Sequence, residues 1–201
     1  VPITTRVATN VDIPEAAAVL AEAFADDPLM AAIWPNRQRR HRALPRYFAA
    51  SLRHFHVPNG GVRVALNTDG EIAAVAVWDP PGRWDHSTLT TVRALPDLLP
   101  ALQTRALAAA KVRHTLDLHH PHEPEHWYLA NIGTTQNFRG QGYAARLITD
   151  ELTSNPGIHA YLVCTLESNI TYYKQFGFQR AEPFSLPTGR RPSMWPMAIN
   201  M

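Results

Sequence analysis

The sequence is short of cysteine, of lysine and of long apolar runs, and each shortage excludes something. One cysteine in 201 residues, Cys164, has no partner for an intrachain disulfide. A reducing, cytoplasmic setting is the expectation that follows. No stretch approaches the ~18 consecutive apolar residues of a membrane-spanning helix, so no membrane partner is expected. The N-terminal residues hold no basic stretch leading into an apolar run, so no export signal is expected. Charged residues are only 18% of the chain against 45% apolar, which is enough apolar surface to offset chain entropy and excludes disorder as the main state. The length is that of one domain of ordinary size.

Only two of the nineteen basic residues are lysines, and the formal net charge is +2. The densest basic run is Arg37, Arg39, Arg40, Arg42, Arg46 and Arg53, with no acid between Arg37 and His56. Such a run can attract a nucleic acid. Here Leu44, Tyr47, Phe48 and Leu52 interleave with it at helical spacing, so it reads as the solvated side of a helix over roughly 37–56. No nucleic-acid partner is expected.

Along the chain, residues 3–8 read as a strand. Asp12 three before Glu15 has capping-box spacing and opens a helix that carries Ile13, Ala17, Leu20 and Phe24. Pro28 disfavours helical geometry at Asp27, so an acidic elbow, Asp26-Asp27, separates two helices. Residues 62–66 and 72–78 around Asn67-Thr68-Asp69-Gly70 read as a β-hairpin whose second strand is covered on both faces. Residues 86–118 read as a helical stretch broken at Pro96 and Pro100, its best helix over about 101–117. Four histidines, His119, His120, His122 and His126, fall within eight residues, but two prolines stiffen the segment. It reads as a solvent-facing linker, with no metal expected. Residues 127–134 and 160–164 read as strands, the first followed by a helix that carries Leu147, Ile148 and Leu152. Asn169 to Phe176 reads as a short helix ending at Gly177, and 193–199 as a last strand. The expectation is one α/β domain over 1–201, with about seven strands and a helical insertion at about 83–118.

The strongest local feature is strand, then Arg139-Gly140-Gln141-Gly142-Tyr143-Ala144, then helix. Small side chains at Gly140, Gly142 and Ala144 let backbone N–H groups converge on one anion at a helix N-terminus. A pyrophosphate suits such a cradle, with Arg139 adding a charge-assisted bond. The Lys-Ser/Thr of a Walker loop and the three spaced glycines of a dinucleotide fingerprint are both missing.

The run Arg139-x-x-Gly142-x-Ala144 resembles the acetyl-CoA pyrophosphate loop of the GNAT acetyltransferases. Downstream, Asn169-x-x-Tyr172-Tyr173-x-x-Phe176-Gly177-Phe178 is similar to that family's second motif, one helix and one strand later. Ala23 to Pro28, Ala74 to Trp78 and Glu123-Pro124 resemble the puromycin N-acetyltransferase-like branch. The resemblance implies a mixed, mostly antiparallel sheet flanked by helices. It implies acetyl-CoA as cofactor, with Ile132, Gly133 and Thr134 along the pantetheine arm. The pyrophosphate would lie at Arg139, Gly140, Gln141, Gly142, Tyr143 and Ala144, and Asn169 would reach the cofactor from the other side. Tyr173 falls where the family has the tyrosine beside the CoA sulfur, a proton donor to the leaving thiolate. Puromycin-type relatives carry a glutamate at the position that here is Val163. Glu167, Asp26, Asp27 or a bound water are the substitutes for that base. Cys164, in an apolar strand, reads as a core thiol. Asp26 and Asp27 would attract an ammonium, and Trp34, Trp78 or Trp84 would wall an apolar acceptor.

The expected function is acetyl transfer to a primary amine of a small molecule, an antibiotic among the candidates, by direct attack in a ternary complex. A peptide amine and a non-catalytic acyl-CoA-binding module are the alternatives. The protein is expected to be a monomer or a homodimer.

Overall fold

The computed structural model describes residues 3–201; Val1 and Pro2, included in the expected domain, lie outside the described residues. The spine is one eight-stranded sheet. Its strands are β1 (Thr4–Val7), β2 (Val62–Leu66), β3 (Ile72–Asp79), β4 (Trp127–Thr134), β5 (Ala160–Cys164), β6 (Gln179–Arg180), β7 (Phe184–Ser185) and β8 (Ser193–Ile199). The order is β1-β2-β3-β4-β5-β8-β6, with β7 on β8, and every pairing is antiparallel except β4 with β5. The count is one more than expected because β7 is a two-residue strand that no periodicity marks.

The helices are α1 (Ile13–Ala23), α2 (Pro28–Ile33), α3 (Arg37–Ser51), α4 (Thr88–Leu102), α5 (Ala106–Leu118), α6 (Tyr143–Ser154) and α7 (Ile170–Lys174). They divide over the two faces of the sheet by strand parity. Val75 and Val77 of β3 join the core under α1 to α5. Ala74, Ala76 and Trp78 point the other way, into the core with Leu147 and Ile148 of α6. All eight residues of β3 are buried, as its near-continuous apolar run requires.

Several local expectations are corrected. The capping box is Thr9 with Asp12, one turn earlier than Asp12 with Glu15. The Asp12 carboxylate accepts from the Thr9 N–H at 2.7 Å and from the Arg6 guanidinium at 2.7 and 2.8 Å. Glu15 instead accepts from the Ile72 N–H at 2.6 Å and ties α1 to β3. The basic helix is α-helical only to Ser51, and a π-helical turn over Leu52–His56 continues it. Pro96 and Pro100 do not break the 86–118 stretch. Both lie on the exposed side of α4, and the chain turns instead at Gln103, where φ is 48°. The 119–126 segment is not solvent-facing throughout. His120 and His126 are buried, their Nε2 atoms 2.9 Å apart, and Trp84 stacks on His120 with ring centroids 3.8 Å apart. The second-motif helix shortens to Ile170–Lys174 behind a 3-10 turn over Glu167–Asn169.

Candidate active site

The site begins where two parallel strands part. β4 and β5 pair only from Trp127 to Leu129 against Ala160 to Leu162. A register irregularity in the β3–β4 ladder skips Ala130, between Leu129 and Asn131. From there to Thr134, β4 keeps β3 on one side and has an open edge on the other. Its N–H and C=O groups on that edge are free for an extended ligand to pair with as a strand would.

Helix α1 holds the open strand in place. A Cβ built on Gly133 would stand 2.6 Å from the Ala23 Cβ, so only glycine lets helix and strand approach this closely. Glu22 at the end of α1 accepts from the Gln136 N–H at 2.6 Å and fixes the start of the next loop.

That loop leads to α6 through two left-handed glycines, Gly140 (φ 76°) and Gly142 (φ 88°). Gly142 is the N-cap and has no side chain with which to satisfy the first turn, so the leading N–H groups of α6 are available to an anion. Arg139 lies exposed beside them, its Nε donating to the Thr134 carbonyl at 3.3 Å. The Gln141 side chain donates to the Asn137 carbonyl at 2.9 Å. The Tyr143 ring is buried edge-on against Phe138, so this residue offers the loop its backbone alone. Ala144 follows it in the first turn of α6.

Behind the parting strands lies a cavity of about 1050 Å³, roofed by α4 and α5 through Leu95, Leu98, Leu102 and Val112. Ile132 and Arg139 reach it from the β4 side, and Asn169 and Tyr173 from the far side of the gap. Burial, together with the nearby Cys164 and Asp27, holds the Tyr173 phenol well above its ordinary range, so it keeps its proton. Burial also raises the Cys164 thiol, which donates to the Leu166 carbonyl at 3.0 Å. A protonated thiol in that position is a poor nucleophile.

Asp27 is the buried acid of the site. It caps α2, accepting from the Met30 N–H at 3.0 Å, and it accepts from the Thr165 hydroxyl just beyond β5. Burial lifts its carboxyl above the usual range, while the bonds from Thr165 and Met30 pull the other way. Asp26 differs in every respect. It is exposed at the mouth of the cavity and paired with Arg37 at 3.0 Å and Arg40 at 3.5 Å, and the Arg37 bond holds it below the usual range.

Gly133, Thr134 and the loop residues Gly140 to Ala144 lie beside the cavity lining and not in it, and the expected acceptor and base residues Trp78 and Glu167 are not brought to it. Trp78 points to the α6 face, is fully buried, and its indole N–H has no partner there. Glu167 is exposed in the turn before α7 and does not line the cavity. Among the other tryptophans, Trp34 packs in the core edge-on to Tyr47 and Trp84 stacks on His120. Three residues that sequence reasoning missed do line the cavity: His56, Asp79 and His86. His56 Nδ1 lies 2.7 Å from Asp79 Oδ1, both buried, and burial beside His56 lowers His86 to about 4. They lie in three separate elements, so no spacing signalled them.

A sheet opened between two parallel strands, a glycine-capped loop beside the opening and a tyrosine across it make an arrangement that could hold a long, anionic cofactor. Residues 26–178 match the Acetyltransferase (GNAT) family, and the chain belongs to that family of acetyl-CoA-dependent acyltransferases. An uncharacterized N-acetyltransferase of Schizosaccharomyces pombe is 25% identical over 189 residues, covering 83% of this chain and 70% of its own. The solved structure of a histone acetyltransferase HPA2 and related acetyltransferase from Corynebacterium glutamicum is similar at 26% identity and TM-score 0.72, covering 97% of this chain and 96% of its own. The arylalkylamine N-acetyltransferase 2 of Aedes aegypti shares the fold at 15% identity and TM-score 0.65, covering 98% of each chain. Among the described residues no helix is long and apolar enough to cross a membrane.

Proposed function

We propose that this protein binds acetyl-CoA in the opening between β4 and β5 and transfers the acetyl group to a primary amine of a small molecule. The observation that carries the reading is the cavity, roofed by α4 and α5 and lined by Tyr173 and Asp27 together. A roofed cavity suits a small acceptor, where a peptide would need an open groove.

In this reading the pantetheine arm pairs with the free edge of β4 along Ile132, Gly133 and Thr134. The pyrophosphate sits on the N–H groups of 139–144, and Asn169 bonds the arm from the opposite side. The amine attacks the thioester carbonyl directly in a ternary complex. Charge then grows on the leaving sulfur, and the Tyr173 O–H donates its proton there. Asp27, as its carboxylate, takes the proton that the amine loses as it attacks, because a carboxylate with a raised pKa is a better base than a solvated one. Asp26, already neutralised by two arginines, gathers cations at the mouth only weakly. A buried, protonated Cys164 speaks against an acyl-enzyme and for direct attack.

The test is thiol release from acetyl-CoA against a panel of primary amines that includes puromycin, aryl-alkyl amines and polyamines. Release on one amine, with initial-rate lines that intersect as both substrates vary, supports the reading. Parallel lines would sink direct attack. Absence of thermal stabilisation by acetyl-CoA would overturn the cofactor site itself. Stabilisation without release on any amine would favour the non-catalytic binding module.

A further inference from the structure

The far end of the cavity carries a cluster that acetyl transfer does not use. His56 ends the π-helical turn after α3, Asp79 ends β3, and His86 lies in the loop before α4. One donor atom from each lies within 4.8 Å of the other two. We propose that His56, Asp79 and His86 form a binding site for a divalent transition-metal ion, with zinc the best match.

The donor set is the first argument. Two imidazoles and one carboxylate suit zinc, and a three-ligand site leaves one position open. Zinc bonds of ~2.0–2.2 Å put tetrahedral ligand atoms roughly 3.3 Å apart. The His56–Asp79 contact of 2.7 Å is already close enough for one ion to bridge both. The His86 ring supplies the third donor atom, within 4.8 Å of the other two. That ring stacks on Phe55 with centroids 4.5 Å apart at 14°, which holds its plane toward the cluster.

Charge is the second argument. Asp79 is 2% exposed, and among the described residues its side-chain partner is His56, with no arginine or lysine paired to it. A carboxylate so deeply buried needs a cation, and an imidazole supplies one only when protonated. His86 hydrogen-bonds no protein group among the described residues, so its ring nitrogen is free to ligate. A dication between the three satisfies both at once.

Access is the third argument. All three residues line the cavity, so an ion has an entry path and its open position faces the cavity. The π-helical turn that delivers His56 is a rare geometry, frequent at functional sites. An ion here would take an oxygen, sulfur or nitrogen donor from the molecule in the cavity and hold its end away from the parting strands. That last role rests on the transferase reading; the ligand set does not.

The test uses the full chain, stripped with a chelator and dialysed, then titrated with Zn²⁺ by calorimetry and with Co²⁺ by visible absorption. The expected result is one equivalent of Zn²⁺ and the intense visible band of a low-coordinate Co²⁺ site. His86→Ala and Asp79→Asn should each weaken Zn²⁺ binding by more than about tenfold. His122→Asn, on the exposed part of 119–126, should leave it unchanged. Thermal unfolding checks that His86→Ala, a loop variant, still folds. No saturable binding, full affinity in folded His86→Ala, or loss of binding in His122→Asn would each overturn the proposal. Stabilisation by acetyl-CoA in the same samples reports separately on the transferase reading.

Discussion

The Thr165 hydroxyl, just past the end of β5, donates to the Asp27 carboxylate that caps α2, so one buried acid joins the open sheet to the helical elbow above it. Burial raises the Asp27 carboxyl above its ordinary value in the folded chain. The folded pKa is raised, so below the ordinary carboxylate value of about 3.9 neither state is ionised and there is no penalty. As pH climbs past that value the unfolded chain ionises first, and stability falls until the folded carboxyl has ionised as well. The midpoint of Asp27→Asn should therefore gain on that of the unaltered chain as pH rises from about 4, read from unfolding midpoints of the two chains side by side. Thr165→Val removes one of the bonds that favour the carboxylate. It should lower stability at neutral pH by about 1–3 kcal/mol, the range for a buried polar group losing a partner.

Gly133 and Ala23 meet at the crossing of α1 and β4, and a Cβ on Gly133 would overlap the Ala23 methyl at 2.6 Å. Gly133→Ala should destabilise the fold by about 1–3 kcal/mol through overpacking, measured by chemical denaturation. Ala23→Gly in the same chain removes the clash. The double variant should recover most of the packing loss, less the cost of about 1 kcal/mol for a glycine at the end of a helix. A double variant no more stable than Gly133→Ala would show that some other contact makes Gly133 necessary.

What could be read in the sequence was local. The hairpin and the glycine-rich turn before α6 each lie within one short segment whose residue types decide its geometry, and both form where expected, while the second-motif helix forms in place but shorter. Trp78 was misplaced because β3 is buried on both faces. An apolar run then carries no mark of which parity faces the cavity, and the answer came from the helices packed on each side. Pro96 and Pro100 misled because a proline on the exposed side of a helix costs a hydrogen bond without halting it, while the real turn at Gln103 uses a residue with no turn signature. Glu167 stands near the motif in sequence, yet the turn before α7 exposes it. The cavity end at His56, Asp79 and His86 is built by three elements brought together only by the fold.

Tyr173 offers a clean separation of binding from chemistry. Removing its hydroxyl leaves the ring packed beside Phe178, at a centroid distance of 6.2 Å, so the fold should survive Tyr173→Phe. Loss of a positioned general acid costs typically ~10²–10⁴ in rate. The variant should lose that factor in kcat and keep its affinity for acetyl-CoA, measured by calorimetry. Equal activity in the variant would remove Tyr173 from the proposed mechanism.

The histidine pair beneath α5 sets the acid limit of the fold. His126 Nδ1 faces the Pro124 carbonyl at 2.9 Å and so carries the proton there, which leaves its Nε2 to accept from His120 Nε2 at 2.9 Å. Both rings are neutral in this arrangement. Burial, with the charge that His126 would add, lowers His120 to about 3, and burial lowers His126 as well. A histidine whose folded pKa is depressed contributes its full stability above the unfolded value of about 6.5, and that stability is lost as pH falls toward the folded value. The stability that this pair contributes should therefore drop from pH 6.5 to pH 4.5. His120→Phe keeps the stack on Trp84 and cannot be protonated. Its midpoint should start lower at neutral pH, because the His126 Nε2 acceptor is left without a donor, and should then fall less steeply with acid. A slope as steep as that of the unaltered chain would mean that other groups control the acid transition.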